Sequence, residues 1–137
     1  MFSTTDVVNA SYFSHSNPND PVCVAGQGVR QADYEFWSSV LPALDEDADT
    51  ACMRLGIKTG KSAGAVARII MGLHRLTELP QVKALQDANH LLDLAALIAI
   101  DQVMAKLGQP SKEVVAAIDA SLARWFTPTK PNQVFPT

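Results

Sequence analysis

Apolar residues recur at helical spacing through most of this chain, and that spacing predicts an all-α protein. From Asp33 onward they return every three or four positions, the period of one helix face. A first helix is predicted over 33–41, with Pro42 as its break. A second is predicted to begin near Asp45, where acidic residues suit the positive end of a helix dipole, and to end at Gly56. No strand pair is evident, so we expect a compact bundle of five to six helices.

The later helices are predicted more strongly. The third, over 61–76, places its aliphatic residues on one side. These are Val66, Ile69, Ile70, Leu73 and Leu76. A fourth follows Pro80, a fifth runs from Asp93 to Leu107, and a sixth begins after Pro110. The fifth is apolar on most sides, which predicts that it is the central helix, with Trp37 and Trp125 buried against it.

The two ends of the chain lack this period. Residues 1–30 are rich in turn formers, such as Asn17-Pro18-Asn19-Asp20-Pro21 and Gly26-Gln27-Gly28, and they predict a loop-rich N-terminal arm. Residues 31–127 form the predicted helical domain. Residues 128–137 predict an extended, proline-rich tail, because a residue before proline disfavours helix.

Composition narrows the class of protein. The chain has 137 residues, 47% of them hydrophobic and 18% charged, which suits one folded domain. Its longest apolar run, 94–100, is far shorter than the roughly 20 residues that span a bilayer, and no basic leader precedes Arg30. Two cysteines, Cys23 and Cys52, make no disulfide framework. We expect a cytoplasmic protein with no membrane contact and no cofactor.

Charge is distributed unevenly. The net charge is −3, yet the segment from Arg54 to Thr77 contains five basic residues and no acidic one. The five are Arg54, Lys58, Lys61, Arg68 and Arg75. A local basic stripe on an acidic chain indicates a directed contact with an anion rather than general coating of nucleic acid.

The basic residues of the third helix share a predicted face. Lys61, Arg68 and Arg75 are seven residues apart, so each is displaced by only about 20° from the last. With Lys58 before them, they are the candidate contacts to DNA phosphates. Small residues at Gly64, Ala65 and Gly72 lie between them and form a candidate close-packing or partner face. A purely solvated face is the alternative.

A helix, a glycine-containing connector and a basic helix follow one another in the order of a helix-turn-helix. The connector, taken as Gly56 to Gly60, is longer than the usual three or four residues. The basic face also lacks an Asn or Gln that could pair with adenine. Contacts to phosphate are therefore favoured over contacts to bases.

No catalytic or metal-binding constellation is complete. Thr59-Gly60-Lys61-Ser62 resembles the end of a phosphate-binding loop, but Leu55 occupies the place of its first glycine and no strand precedes it. The histidines His15, His74 and His90 lie in separate segments, which argues against a metal site. Asp101, within the apolar fifth helix, is predicted to lie on a narrow exposed strip, and burial beside a basic partner is the alternative.

Five short motifs, in this order, resemble one actinobacterial family. They are Phe36-Trp37, Leu55-Gly56-Ile57-Lys58-Thr59-Gly60-Lys61-Ser62-Ala63, Glu78-Leu79-Pro80, Leu97-Ile98-Ala99-Ile100-Asp101 and Thr127-Pro128-Thr129-Lys130-Pro131-Asn132-Gln133. The chain resembles the domain of unknown function 222, or thirteen-E-twelve repeat family, whose domain usually precedes an HNH nuclease module. The resemblance implies work on DNA, and Gly60, Lys61 and Pro131-Asn132-Gln133 are its marks. The HNH motif itself is absent from this sequence, so no catalytic residue is implied.

These observations lead to one expectation and one alternative. We expect a non-catalytic, helical accessory domain that positions an HNH-nuclease-like protein on DNA, with no small-molecule substrate. The alternative is a helical oligomerisation or protein-interaction module, in which the face with Gly64, Ala65 and Gly72 packs against a second copy or another protein.

Overall fold

The computed structural model of the protein describes residues 12–41 and 47–136, and within them the fold is a compact all-α bundle, as predicted. The described residues form six α-helices after a short 3-10 turn, Ser14–Ser16. The helices are α1 Pro21–Ser39, α2 Ala48–Thr59, α3 Ala63–Leu76, α4 Pro80–Asn89, α5 Leu94–Ala105 and α6 Lys112–Trp125. The β-pairing found in these residues is an isolated bridge between Phe13 and Gln133.

Short polar side chains start most of the helices. In five of them the residue before the helix accepts a hydrogen bond from an N–H of the first turn, which satisfies a donor that the helix itself leaves free. These capping residues are Asp20, Asp47, Ser62, Asp93 and Ser111. The predicted helix start at Asp45 lies outside the described residues, whereas the cap of α2 is Asp47.

The first helix corrects the prediction of a loop-rich arm over residues 1–30. Asp20 caps α1 and Pro21 occupies its first position, so 21–30 are helical despite Gly26 and Gly28. Each glycine costs a helix about 1 kcal/mol relative to alanine. Docking offsets this cost, because Gln27 and Arg30 donate to backbone carbonyls at the end of α4, Asn89 and His90, at 3.1 and 2.8 Å.

The core lies between α3 and α5. All five aliphatic residues predicted for the inner face of α3 are buried. Gly72 also faces α5: a Cβ placed there would lie 3.1 Å from the carbonyl carbon of Leu97 and 3.2 Å from the amide nitrogen of Ile98. The missing side chain therefore allows the two backbones to approach closely. The central helix is α3, which packs against α1, α2, α4 and α5. The prediction that α5 is central is wrong, because α5 buries only Leu97, Asp101 and Met104 and leaves Val103 exposed.

The two tryptophans behave differently. Trp37 is 2% exposed, as predicted, but Trp125 is 62% exposed, and the prediction that it is buried is wrong. The reason is the orientation of α6, which turns Asp119 inward. Six residues separate Asp119 from Trp125, so Trp125 points about 120° away around the helix.

Buried polar side chains complete the backbone hydrogen bonding. Asp119 accepts from the amides of Gln81 and Val82, both at 3.0 Å, and so caps α4 from another helix. Gln86 pairs with both the N–H and the carbonyl of Leu92, at 2.9 Å each, which fixes the connection between α4 and α5. Each of these groups would be costly to bury without its partner.

The C-terminal tail is not helical, and it folds back on the bundle through one turn. The side-chain oxygen of Gln133 accepts from the amides of Thr129 and Lys130, and Asn132 adopts the left-handed conformation. Phe135 then stacks on Phe126, with ring centroids 5.3 Å apart. The tail is therefore part of the bundle surface.

We expect Asp119→Ala to lower the free energy of unfolding by about 2–3 kcal/mol, because it leaves two amides of α4 without their charged acceptor. Urea denaturation measures this change. Lys112→Ala, at an exposed position of the same helix, is the control and should change stability by less than about 0.5 kcal/mol. Equal effects of the two substitutions would contradict the capping role.

Candidate nucleic-acid interface

The turn between α2 and α3 is shorter than the sequence suggested. α2 continues through Gly56 to Thr59, so the prediction that Gly56 ends the helix is wrong. Gly60 caps the helix instead, with a φ of 76° that favours glycine. Ser62 then caps α3, and three residues join the two helices. This length is that of a helix-turn-helix connector.

Gly56 serves the turn from within α2. Its carbonyl accepts hydrogen bonds from the amides of both Gly60 and Lys61, the second at 3.0 Å. A Cβ at Gly56 would lie 2.5 Å from the Lys61 carbonyl oxygen, closer than any side chain tolerates. The sequence predicts that the helix ends at Gly56. In the structure the helix continues, and the absence of a side chain at Gly56 lets the turn fold back against it.

Three of the four candidate phosphate contacts surround this turn. Lys58 lies in the last turn of α2, Lys61 in the connector and Arg68 on α3, and all three are exposed. Within the described parts of the chain no carboxylate lies within ion-pair distance of them. Gly64 is also exposed, and a Cβ there would meet only the Arg68 guanidinium, at 3.8 Å. The start of α3 thus presents backbone and positive charge to solvent.

Arg75, the fourth candidate, has a different role. Its Nε donates to Asp101 at 2.9 Å and its Nη1 to Glu78 at 2.8 Å, and its side chain is only 20% exposed. Burial lowers the pKa of the Arg75 guanidinium, but its two carboxylate partners outweigh that effect and raise the pKa overall. Arg75 therefore joins α3 to α5 and does not belong to the exposed basic face.

The pairing of Arg75 also corrects the prediction for Asp101, which is buried and not on an exposed strip. Lys61 lies in the connector and not on α3, so the predicted stripe on this helix reduces to Arg68 and Arg75, one seven-residue step and about 20° apart. At the C-terminal end of α3 this side is close enough to α5 for Arg75 to reach Asp101. A buried carboxylate needs such a partner, because an unpaired charge in the core is strongly unfavourable.

The three small residues do not form one partner face. Gly72 is buried against α5, so it is engaged within the chain, while Gly64 is exposed and Ala65 is half-buried. Close packing, one of the two roles predicted for this set, applies to Gly72 alone. Its contact is with the chain's own fifth helix.

Apolar side chains next to the basic residues were missed from the sequence. Met53 and Ile57 on α2 and Met71 on α3 are exposed, Ile57 to 82%. The signal that could have identified them is their spacing, since Met53 and Ile57 are one turn apart and Met71 is three residues beyond Arg68.

Other site chemistries find little support in the described residues. Over 12–41 and 47–136, no three His, Cys, Asp or Glu side chains lie close enough together to hold a metal ion. His15 contacts the Leu91 carbonyl at 3.3 Å, whereas His74 is exposed on α3, so the two histidines have different surroundings. No helix in this part of the chain is both long and apolar enough to cross a membrane.

Comparisons of the chain with protein-family models, curated proteins and solved structures gave no match. The candidate interface is therefore interpreted from its own geometry and charge.

Gly56→Ala should destabilise the protein by about 1–3 kcal/mol, because the new methyl group meets backbone that cannot move without opening the turn. Gly64→Ala is the matched control. It places the same group in open space on a helix and should stabilise the protein by up to about 1 kcal/mol. Urea denaturation of both variants tests the close approach, and equal stability of the two would refute it.

Arg75→Ala should cost about 2–3 kcal/mol of stability, since it leaves the buried Asp101 carboxylate without its cation. The same substitution at Arg68, two turns earlier on α3, should cost less than about 0.5 kcal/mol. Thermal or urea unfolding distinguishes the two arginines. A larger loss for Arg68 than for Arg75 would show that the two roles are reversed.

Proposed function

We propose that the chain is a non-catalytic DNA-binding domain, in which the α2-turn-α3 unit contacts phosphates through Lys58, Lys61 and Arg68. One observation carries the proposal. A three-residue turn, closed on Gly56 and capped by Gly60, brings exposed cations to the start of a helix, and none of them has an ion-pair partner among the described residues. Arg75 is left out of the contact set because Asp101 and Glu78 hold it.

The geometry suits the docking mode of a helix-turn-helix. In that mode the first helix crosses the DNA backbone and the second enters the major groove with its N-terminal end. The amides in the first turn of α3 lie at the positive end of the helix dipole, where phosphate is favoured. The bare backbone at Gly64 allows a phosphate to approach them without obstruction.

The side chains on this surface favour affinity over sequence selectivity. Lysine and arginine contacts to phosphate fix position and carry no base information. The exposed Ile57 and Met71 could contact thymine methyl groups, but the exposed face of α3 offers no Asn or Gln for adenine. We therefore propose binding to duplex DNA with weak sequence preference.

The family resemblance supports a setting for this activity. We propose that the chain acts as a cytoplasmic accessory domain of an HNH-nuclease-like protein of the domain-of-unknown-function 222 type. Three of the residues that mark the resemblance have roles that depend on residue type. Gly60 and Asn132 take left-handed conformations, and the Gln133 amide oxygen closes the tail turn.

Oligomerisation through Gly64, Ala65 and Gly72 is less well supported as the function. Gly72 is covered by α5, so a partner helix could reach this face only beside Gly64. A glycine-lined contact between helices requires small residues on successive turns of the same face. One of the two glycines of this surface, Gly72, is buried in the core and is not available to a partner.

The proposal predicts a salt-dependent affinity for duplex DNA. Three phosphate contacts should give a slope of log K against log salt of about −2.7 per bound chain, at roughly −0.9 per contact. The triple variant Lys58→Ala, Lys61→Ala, Arg68→Ala should bring the slope close to zero. It should leave the fold intact, because all three side chains are exposed and alanine favours helix at positions 58 and 68. Fluorescence anisotropy over a salt series measures both.

A second triple variant controls for net charge. Lys106→Ala, Lys112→Ala and Lys130→Ala remove the same three charges from exposed positions outside this face, and the slope should stay near that of the unmodified chain. An equal loss of salt dependence in both triple variants would show that binding reflects general electrostatic attraction and not a contact made by this face. The DNA should also remain uncut in Mg²⁺ or Mn²⁺, and cleavage that persists through repurification would overturn the non-catalytic assignment.

A further inference from the structure

An apolar groove of about 580 Å³ runs between α5, α6 and the C-terminal tail, on surface not used by the turn or the basic residues. Every residue that lines it is apolar, including Ala99, Val103, Leu107, Ile118, Leu122 and Trp125. Val103, Leu107 and Trp125 are each more than half exposed. A contiguous apolar surface of this kind on a folded domain marks an interface, and tryptophan is prominent at the centre of interfaces.

The exposed edge of α6 beside the groove forms a strip in which large and small side chains follow a regular order. Six residues line it: Val114, Ala117, Ile118, Ser121, Leu122 and Trp125. Val114 and Trp125 lie at its two ends, and between them the small Ala117 and Ser121 lie beside the larger Ile118 and Leu122. Small residues in the middle of a helix face permit a second helix to approach closely.

This strip is complementary to itself when reversed. If two copies of α6 pack antiparallel about a two-fold axis between Asp119 and Ala120, Val114 of one copy lies opposite Trp125 of the other. In the same register Ile118 lies opposite Ser121, so a large residue meets a small one. Two-fold symmetry produces each of these contacts twice, as an isologous interface requires.

Charges at one edge of the strip agree with the same register. Glu113 and Arg124 both lie about 80–100° from Val114 in the same sense around the helix, so they share an edge. In an antiparallel pair like edges meet, which places Glu113 of one copy near Arg124 of the other. Within the chain as described, neither residue forms an ion pair.

We propose that the partner of this surface is a second copy of the chain, docked through α6 and the groove beside it, with the two α6 helices antiparallel. Trp125 of each copy packs against the Val114 end of the other, and the groove loses its contact with water. The proposal rests on the groove, the order of sizes and the two charges, and it is independent of DNA binding.

Sedimentation equilibrium tests the proposal through mass. At micromolar concentrations the chain should have twice its single-chain mass of 14.7 kDa. Ala117→Arg introduces a charge at the middle of the strip and should give the single-chain mass. Ala116→Arg is the matched control, since it is exposed on the same helix but about 100° away, and it should leave the dimer intact. A single-chain mass for the unmodified protein at all concentrations would overturn the proposal, even if the surface bound a different protein.

A charge exchange tests the register. Glu113→Arg and Arg124→Glu should each raise the dimer dissociation constant by about tenfold, because two attractive pairs become repulsive. The double exchange should restore it. Dilution of the dimer should shift tryptophan emission to longer wavelength, and Trp125→Phe should abolish the shift, since Trp37 stays buried. A double variant weaker than either single one would reject the antiparallel arrangement.

Discussion

The close contact between α3 and α5 positions most of what is functional in this protein. Gly72 lets the backbone of α3 approach the peptide between Leu97 and Ile98, and the pair Arg75 and Asp101 holds the same two helices one turn later. With its apolar face held against α5, α3 leaves its opposite face, which includes Arg68 and Met71, exposed to solvent. The contact therefore orients Arg68 outward and commits Arg75 inward, although both belong to one basic stripe in the sequence.

Polar side chains that hydrogen-bond to the backbone are a second feature that fixes the arrangement of the helices. Asp119 and Gln86 are buried, and each binds two main-chain groups of α4 or of the segment that follows it. Such bonds fix direction as well as distance, which apolar packing does not. They explain why α6 turns an aspartate inward and leaves Trp125 outside. The buried Asp119 and the exposed Trp125 are two results of the same orientation, in which Val115, Ile118 and Leu122 pack half-buried against the core.

The sequence predicts those parts of the fold that depend on local periodicity. The all-α class, the inner face of α3 and the burial of Trp37 all follow from apolar spacing. It fails where a distant partner decides the outcome. Gln27 and Arg30 keep the glycine-containing start of α1 helical by binding the end of α4. Asp101 is buried because Arg75 reaches it, and no spacing within either helix reveals that.

The candidate interface divides in the same way. The basic segment and the helix order are visible in the sequence, and so is Gly60 as a turn residue. The true length of the connector is not visible in the sequence. A glycine at position 56 predicts a helix end, and only the structure shows that the backbone of Lys61 packs against it.

The two ends of the described chain meet in a small aromatic cluster. Phe13 forms a bridge with Gln133, which is 120 positions away (133 − 13 = 120), and its ring lies 5.0 Å from that of Phe135. Closing so long a loop has an entropic cost, which the packing of the helices between the two residues must offset. The contact between Phe13 and Phe135 therefore depends on the assembly of the whole bundle.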